Sequence, residues 1–251
     1  MAALAACALG LVDAPPAPAE DVPGFDRPGI GVASDTLPAG SFDWEYGLPD
    51  FDHSRAADAA IHEYAFDSHL RYGLTDRLEL QFTLPVLLHR ITGAGGRHTV
   101  GGLGDAVFGL KAALPAAGLA SQLVGLVSVS APTAAAGMGA GRPTYSAATQ
   151  AAWKVGEGGS AGLYASATVV DGISAWLVSP SYSIALTDTL GAYVEAGQQF
   201  AAAGFPAQTL AGTGLTWMAR PTVQLDVYVL KQVHGPGSDL SLGFGASKFL
   251  R

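Results

Sequence analysis

The sequence predicts an all-β protein, an antiparallel up-and-down transmembrane β-barrel of about twelve strands with short periplasmic turns and longer outer loops. Three observations carry that expectation. The first is a long alternation. Between residues 64 and 74 the even positions hold Tyr64, Phe66, Ser68, Leu70, Tyr72 and Leu74, and the odd ones Ala65, Asp67, His69, Arg71 and Gly73. After Thr75-Asp76 the pattern resumes with Leu78, Leu80, Phe82, Leu84, Val86 and Leu88 against Arg77, Glu79, Gln81, Thr83 and His89. Side chains alternate across a strand, and roughly 11 residues per strand suits a tilted membrane crossing. The second observation is dispersed hydrophobicity. The chain is 49% hydrophobic, yet no run approaches the roughly 18 apolar residues of a membrane helix. The third is a sorting of connections into short and long, which a soluble sandwich has no reason to show.

Taken in order, residues 1–19 read as a candidate signal peptide or its remnant: an Ala/Leu/Gly/Val run, then Ala17-Pro18-Ala19 as a small-residue cleavage site. Leu4-Ala5-Ala6-Cys7 is also like a lipoprotein signal. Residues 20–40, rich in Pro, Gly and Asp, read as an extended segment leading into the barrel of residues 41–251. Alternating stretches follow at 42–48, 64–74, 78–88, 103–114, 121–131, 145–155, 160–170, 174–186, 189–200, 208–218, 222–232 and 239–249. Thr75-Asp76, 115–118, 156–159, Thr187-Asp188 and Arg220-Pro221 are tight connections; 49–60, 91–102, 132–143, 201–206 and 233–238 are longer, and only 171–173 breaks the parity. Tyr72, Trp153, Trp217 and Phe249 stand near tight turns, as an interfacial girdle would place them.

Composition narrows the partners. Net charge is −8 with no basic cluster along the sequence, which argues against nucleic acid. Cys7 is the single cysteine, so neither a disulfide framework nor a thiolate metal site is available.

Several stretches together resemble the outer-membrane family named for the meta-pathway of phenol degradation. They are Arg27-Pro28, the run at 72–80, Gly102-Leu103-Gly104-Asp105 with Gly109-Leu110-Lys111, Ser130-Ala131-Pro132-Thr133, and the closing stretch at 242–247. Phe249 is followed by Leu250-Arg251, a departure from a terminal aromatic. The resemblance implies an outer-membrane barrel transporter for small, hydrophobic or aromatic solutes, and it supplies no catalytic residues.

Chemistry-bearing motifs are few. Gly102-x-Gly104 precedes a strand pattern, whereas a phosphate loop opens a helix. His53, His62, His69, His89, His98 and His234 form no metal-ligand spacing, although His62 and His69 could meet His89 inside a barrel. His69 or His89 with a serine leaves a lipid-modifying enzyme as an alternative, but no Gly-x-Ser-x-Gly elbow appears. No catalytic residue, metal or cofactor is expected. A cation facing lipid costs about 2–4 kcal/mol at the midplane. Asp43, Glu45, Glu63, Asp67, His69, Arg71, Glu79, Gln81, His89, Lys111, Glu195 and Asp226 are therefore expected to line the lumen. They would serve either a permeation path or a closed structural or ligand-binding barrel. The expected setting is the bacterial outer membrane, with its lipids, a small solute and the outer-membrane assembly machinery as partners.

Overall fold

The computed structural model describes residues 22–56, 59–93, 96–200, 202, 206–236 and 238–251. The candidate signal at 1–19, with Cys7, lies outside the described residues. The elements are β1 (Phe42–Ala56), β2 (Ala59–Thr75), β3 (Leu78–Gly93), β4 (Gly96–Leu103), β5 (Val107–Ala113), β6 (Gln122–Ser130) and β7 (Thr144–Val155). They continue with β8 (Gly159–Val170), β9 (Ile173–Ala185), β10 (Leu190–Phe200), β11 (Gln208–Arg220), β12 (Val223–His234) and β13 (Ser238–Leu250). Apart from β4 and β5, consecutive strands pair antiparallel, and β1 pairs with β13, so the sheet closes on itself. β4 and β5 lie on different halves of β3 and together make one wall strand, giving a twelve-stranded barrel.

Strand parity separates two surfaces. Outward positions hold Trp44, Leu70, Leu80, Phe108, Val127, Val194, Leu215 and Phe244, all exposed. Inward positions bury Asp43, Glu45, Arg71, Glu79 and Lys111 almost completely. An exposed apolar exterior around a charged interior inverts a soluble protein and matches a barrel solvated by lipid.

Three segments depart from the expected pattern. Residues 49–60, expected as a linker, are strand up to Ala56 and again from Ala59. A slip in register between Gly47 and Asp50 moves the inward face of β1 from odd to even positions, so Asp50 and Asp52 follow Asp43, Glu45 and Gly47 inside. Likewise, most of 91–102 extends the β3–β4 hairpin. The strand expected over 103–114 is interrupted at Gly104–Ala106. Pro85 on β3 has no N–H to offer the ladder there. Its carbonyl instead accepts the Gly104 amide at 2.9 Å, while Asp105 turns to accept the amides of Ala134 (3.0 Å) and Ala140 (2.8 Å).

Among the girdle aromatics, Trp217 is exposed on the outward face and the Trp153 indole donates to the Leu119 carbonyl at 2.6 Å. Phe249 instead lies buried on the inward face opposite Asp43, because it falls on the inward parity of β13.

Candidate functional site

The barrel interior is occupied by the chain's own N-terminal segment. Residues 22–40 run inside the wall and leave over Gly73, whose backbone pairs with Gly40 (2.8 Å) and Ser41 (3.0 Å). A Cβ at Gly73 would collide with the Pro38 carbonyl, so only glycine lets the segment pass so close to the wall.

The segment lacks secondary structure, so its amides need acceptors, and inward carboxylates supply them. Glu45 accepts the amides of Asp26 (2.7 Å) and Arg27 (2.6 Å). Glu195 accepts Ile30 N at 2.8 Å, and Glu79 accepts Leu37 N at 2.9 Å. Arg71 binds these carboxylates together. It is bidentate to Glu79 (2.8 and 3.0 Å) and reaches Asp43 (2.9 Å), Glu45 (3.2 Å) and the Gly24 carbonyl (2.8 Å). Every donor of a guanidinium can be used in such a fork, which suits Arg to a buried junction.

Two side chains of the segment complete the network. Asp26 receives Lys111 Nζ (2.9 Å) and Gln81 Nε2 (2.8 Å), and accepts the amide of Ala33 (2.8 Å). Burial opposes ionisation of Asp26, but Arg71 and Lys111, helped by His69, outweigh it and hold its carboxyl well below the usual carboxylate range. Arg27 lies across Gly47 and Gly245, which are cross-strand partners, and donates to Asp50 (2.8 and 3.0 Å) and Asp226 (3.3 Å). Its carbonyl accepts Gln224 Nε2 at 3.0 Å. A side chain at Gly245 would occupy the guanidinium's place.

The residues singled out from sequence divide into two groups. Asp43, Glu45, His69, Arg71, Glu79, Gln81, Lys111, Glu195 and Asp226 meet the segment or the residues that grip it. Glu63, Asp67 and His89 stand farther toward the outer end, half-buried, with Glu63 paired to His89. His62 does not meet them. It lies on the outward face against His53, ring centroids 4.9 Å apart. Sequence reasoning missed Asp26, Arg27, Asp50 and Gln224. The available signal was the excess of inward acids over Arg71 and Lys111, which calls for a further cation from outside the wall.

Donor atoms of Asp26, Glu45 and His69 lie within 4.8 Å of one another, the spacing of a cation site. Arg71 and Lys111 already contact the same carboxylates, so the positive charge there is the chain's own. His69 Nδ1 shares a hydrogen bond with Thr83 Oγ1 at 2.6 Å.

The segment is gripped mainly from one side; elsewhere its hold is the Ile30 amide on Glu195 and the Ser34 hydroxyl, which donates to Gln122 on β6 at 2.8 Å. Toward β6–β9 the inward positions carry Gln150, Ser166, Ser179, Ser181 and Ser183, and a cavity of about 420 Å³ remains between the segment and Gln150, Ser181 and Ser183, reaching Tyr193, Glu195 and Thr216. A second, of about 290 Å³, lies beside His69, Gln81, Thr83, Leu126 and Ser128.

Solved structures share this architecture. An outer-membrane channel from Pseudomonas putida F1 superposes with a TM-score of 0.69 at 15% identity, covering 86% of this chain and 98% of that one. The β domain of the Bordetella autotransporter BrkA gives 0.60 at 12% identity, over 83% of this chain and 99% of that one. The KdgM porin gives 0.54 at 8% identity, over 83% and 98%. No curated protein matches the sequence. The family model described as "Putative MetA-pathway of phenol degradation" matches residues 25–248.

Proposed function

The chain belongs to that phenol-degradation family, and from its plugged barrel we propose a passive channel of the bacterial outer membrane for small solutes. The observation that carries this reading is the one-sided grip on the plug. Most of the charged residues fasten residues 22–40 toward β1–β3, β5 and β12, with Glu195 on β10 holding Ile30 N, while space of about 420 Å³ bordered by Ser181, Ser183 and Thr216 stays on the other side. A route past the plug would therefore run along Ser181, Ser183 and Gln150, a surface of hydrogen-bonding groups, while the charges that border it, Glu195, Asp26 and Arg27, are engaged in holding the plug. Such a surface favours small neutral molecules over ions. Aromatic solutes fit the family's description and the Tyr164 and Tyr193 rings that border this side. Glu63, Asp67 and His89 would line the outer approach. Outer-membrane lipids and the assembly machinery that inserts such barrels complete the set of partners this function requires.

Liposome swelling with purified, folded protein tests the proposal. Passage of small neutral solutes above that of empty vesicles is expected. Vesicles that exclude every solute, while the barrel shows the mobility shift of a folded protein on an unheated gel, would remove the channel. The complete burial of Arg71 among Asp43, Glu45 and Glu79 favours a second reading, a closed barrel whose interior serves stability. That reading predicts no swelling from either the wild type or an unplugged variant with normal stability.

A further inference from the structure

The outward face carries its own charge pattern. Among the described residues, Arg71 and Lys111 share the inward face with the acids that hold the plug, whereas Lys231, His53, His62, Arg90, Arg55 and Arg97 fall on the outward parity. One register row crosses β12, β13, β1, β2, β3 and β4 as Lys231, Leu240, His53, His62, Arg90 and Thr99. One row farther out, Arg55 aligns with Ala60, Thr92 and Arg97. These residues share the outward face with Leu80 and Phe244, because directly paired residues point the same way. Continuing around the barrel in the other direction, the row passes from Lys231 to Ala211 and Ala196 and carries no charge.

The height of the row identifies its surroundings. On β3 the apolar outward residues run from Leu78 to Leu88, and Arg90 comes next. Ten steps of about 3.3 Å, tilted by about 40°, rise about 25 Å, the height of a barrel's apolar band. Arg90 therefore stands where lipid headgroups begin. Its guanidinium sits 5.6 Å from the Tyr64 ring centroid, and Phe51 packs on Tyr64 at 5.2 Å. This gives a cation held on an aromatic floor. Asp239 is the one described strand acid in reach, 4.0 Å from His53 Nε2 and half-exposed.

We propose that the Lys231–His53–His62–Arg90 row, with Arg55 and Arg97, is a docking site for a phosphorylated glycolipid of the outer leaflet. Its phosphates meet the cations, and its acyl chains lie along Val86, Leu88 and Phe66 below. Arg recognises phosphate through paired donors, and cations at headgroup level are attracted to an anionic lipid surface. The proposal rests on the barrel spanning the outer membrane and is independent of solute passage.

Native mass spectrometry of the full chain, released from detergent after loading with diphosphoryl lipid A, tests it. The wild type is expected to retain the lipid, and Arg90→Gln combined with Lys231→Gln to retain at least tenfold less, with gel mobility and liposome swelling unchanged. Lipid A stripped of phosphate should be held no better by the wild type than by the variant. Excess inorganic phosphate should not displace the intact lipid. Equal retention of the intact lipid by wild type and variant, or retention of the phosphate-free lipid by the wild type equal to that of the intact one, overturns the proposal. Displacement by inorganic phosphate assigns the row to free anions and overturns the lipid. Arg142→Gln, on the far side and paired with Asp171, is the control; an equal loss there means unspecific charge attraction and also overturns it. Membrane fractionation tests the underlying placement separately.

Discussion

The two sides of the interior solve opposite problems. Toward β1–β3, β5 and β12 the wall is ionic, and Asp43, Glu45, Asp50, Arg71, Glu79, Lys111 and Asp226 are spent on holding residues 22–40 or on the residues that hold it. Toward β6–β9 it is built of Gln150, serines and small residues, and space remains. Burying charge is costly unless it is paired, so the ionic side is filled and rigid. Hydroxyls tolerate either water or a solute, so the other side can stay open. Stability and passage are assigned to different arcs of one wall.

The largest expected effect comes from breaking the ionic side. Arg71→Ala leaves Asp43, Glu45 and Glu79 buried together without their cation, and losing one partner of such a network costs about 3–5 kcal/mol. A markedly lower unfolding temperature and faster swelling are expected; unchanged values for both would show that the grip does not matter. Arg27→Ala should release the plug with a smaller loss of stability, because its side chain is partly hydrated and Asp50 and Asp226 regain water. Single-channel conductance should rise. The opposite arc gives the opposite pairing of effects. Ser181→Leu with Ser183→Leu should slow the swelling severalfold while the unfolding temperature moves little. If passage is unaffected, the route does not run there.

The smallest effect is a pH dependence. Asp26 has its folded pKa lowered, so its contribution is fully present above the unfolded value of about 3.9 and is lost as pH falls through the lower folded one. The stability gap between wild type and Asp26→Asn should be constant from neutral pH down to about 4 and shrink only in stronger acid. A gap that closes near neutrality would mean Asp26 is not held as an anion by Arg71 and Lys111.

Alternation in the sequence makes the strands and their two faces legible, because facing depends only on parity along one strand. Arg71, Glu79 and Lys111 could be placed inside on that basis alone. Parity says nothing of what lies across the lumen. Arg27 and Asp226 are 199 residues apart, and the run containing Asp26 has no periodicity to reveal a contact. The bulge after Gly47 also exchanged the faces of β1, which disguised Asp50 as part of a polar linker. The outward basic row was hidden for the same reason. Its basic members are scattered over five strands, and only register gathers them.

The plug precedes β1, and the barrel closes where β1 meets β13. In kinetic terms the ionic grip is the local part of the fold: Asp26 finds Glu45 within 19 residues and Gln81 within 55. Glu195 and Asp226 arrive only with the last third of the chain. Contacts short in sequence are cheaper to close. The first three strands can therefore wrap the segment before the remaining wall exists, making the plug a core on which the barrel is wound and seamed.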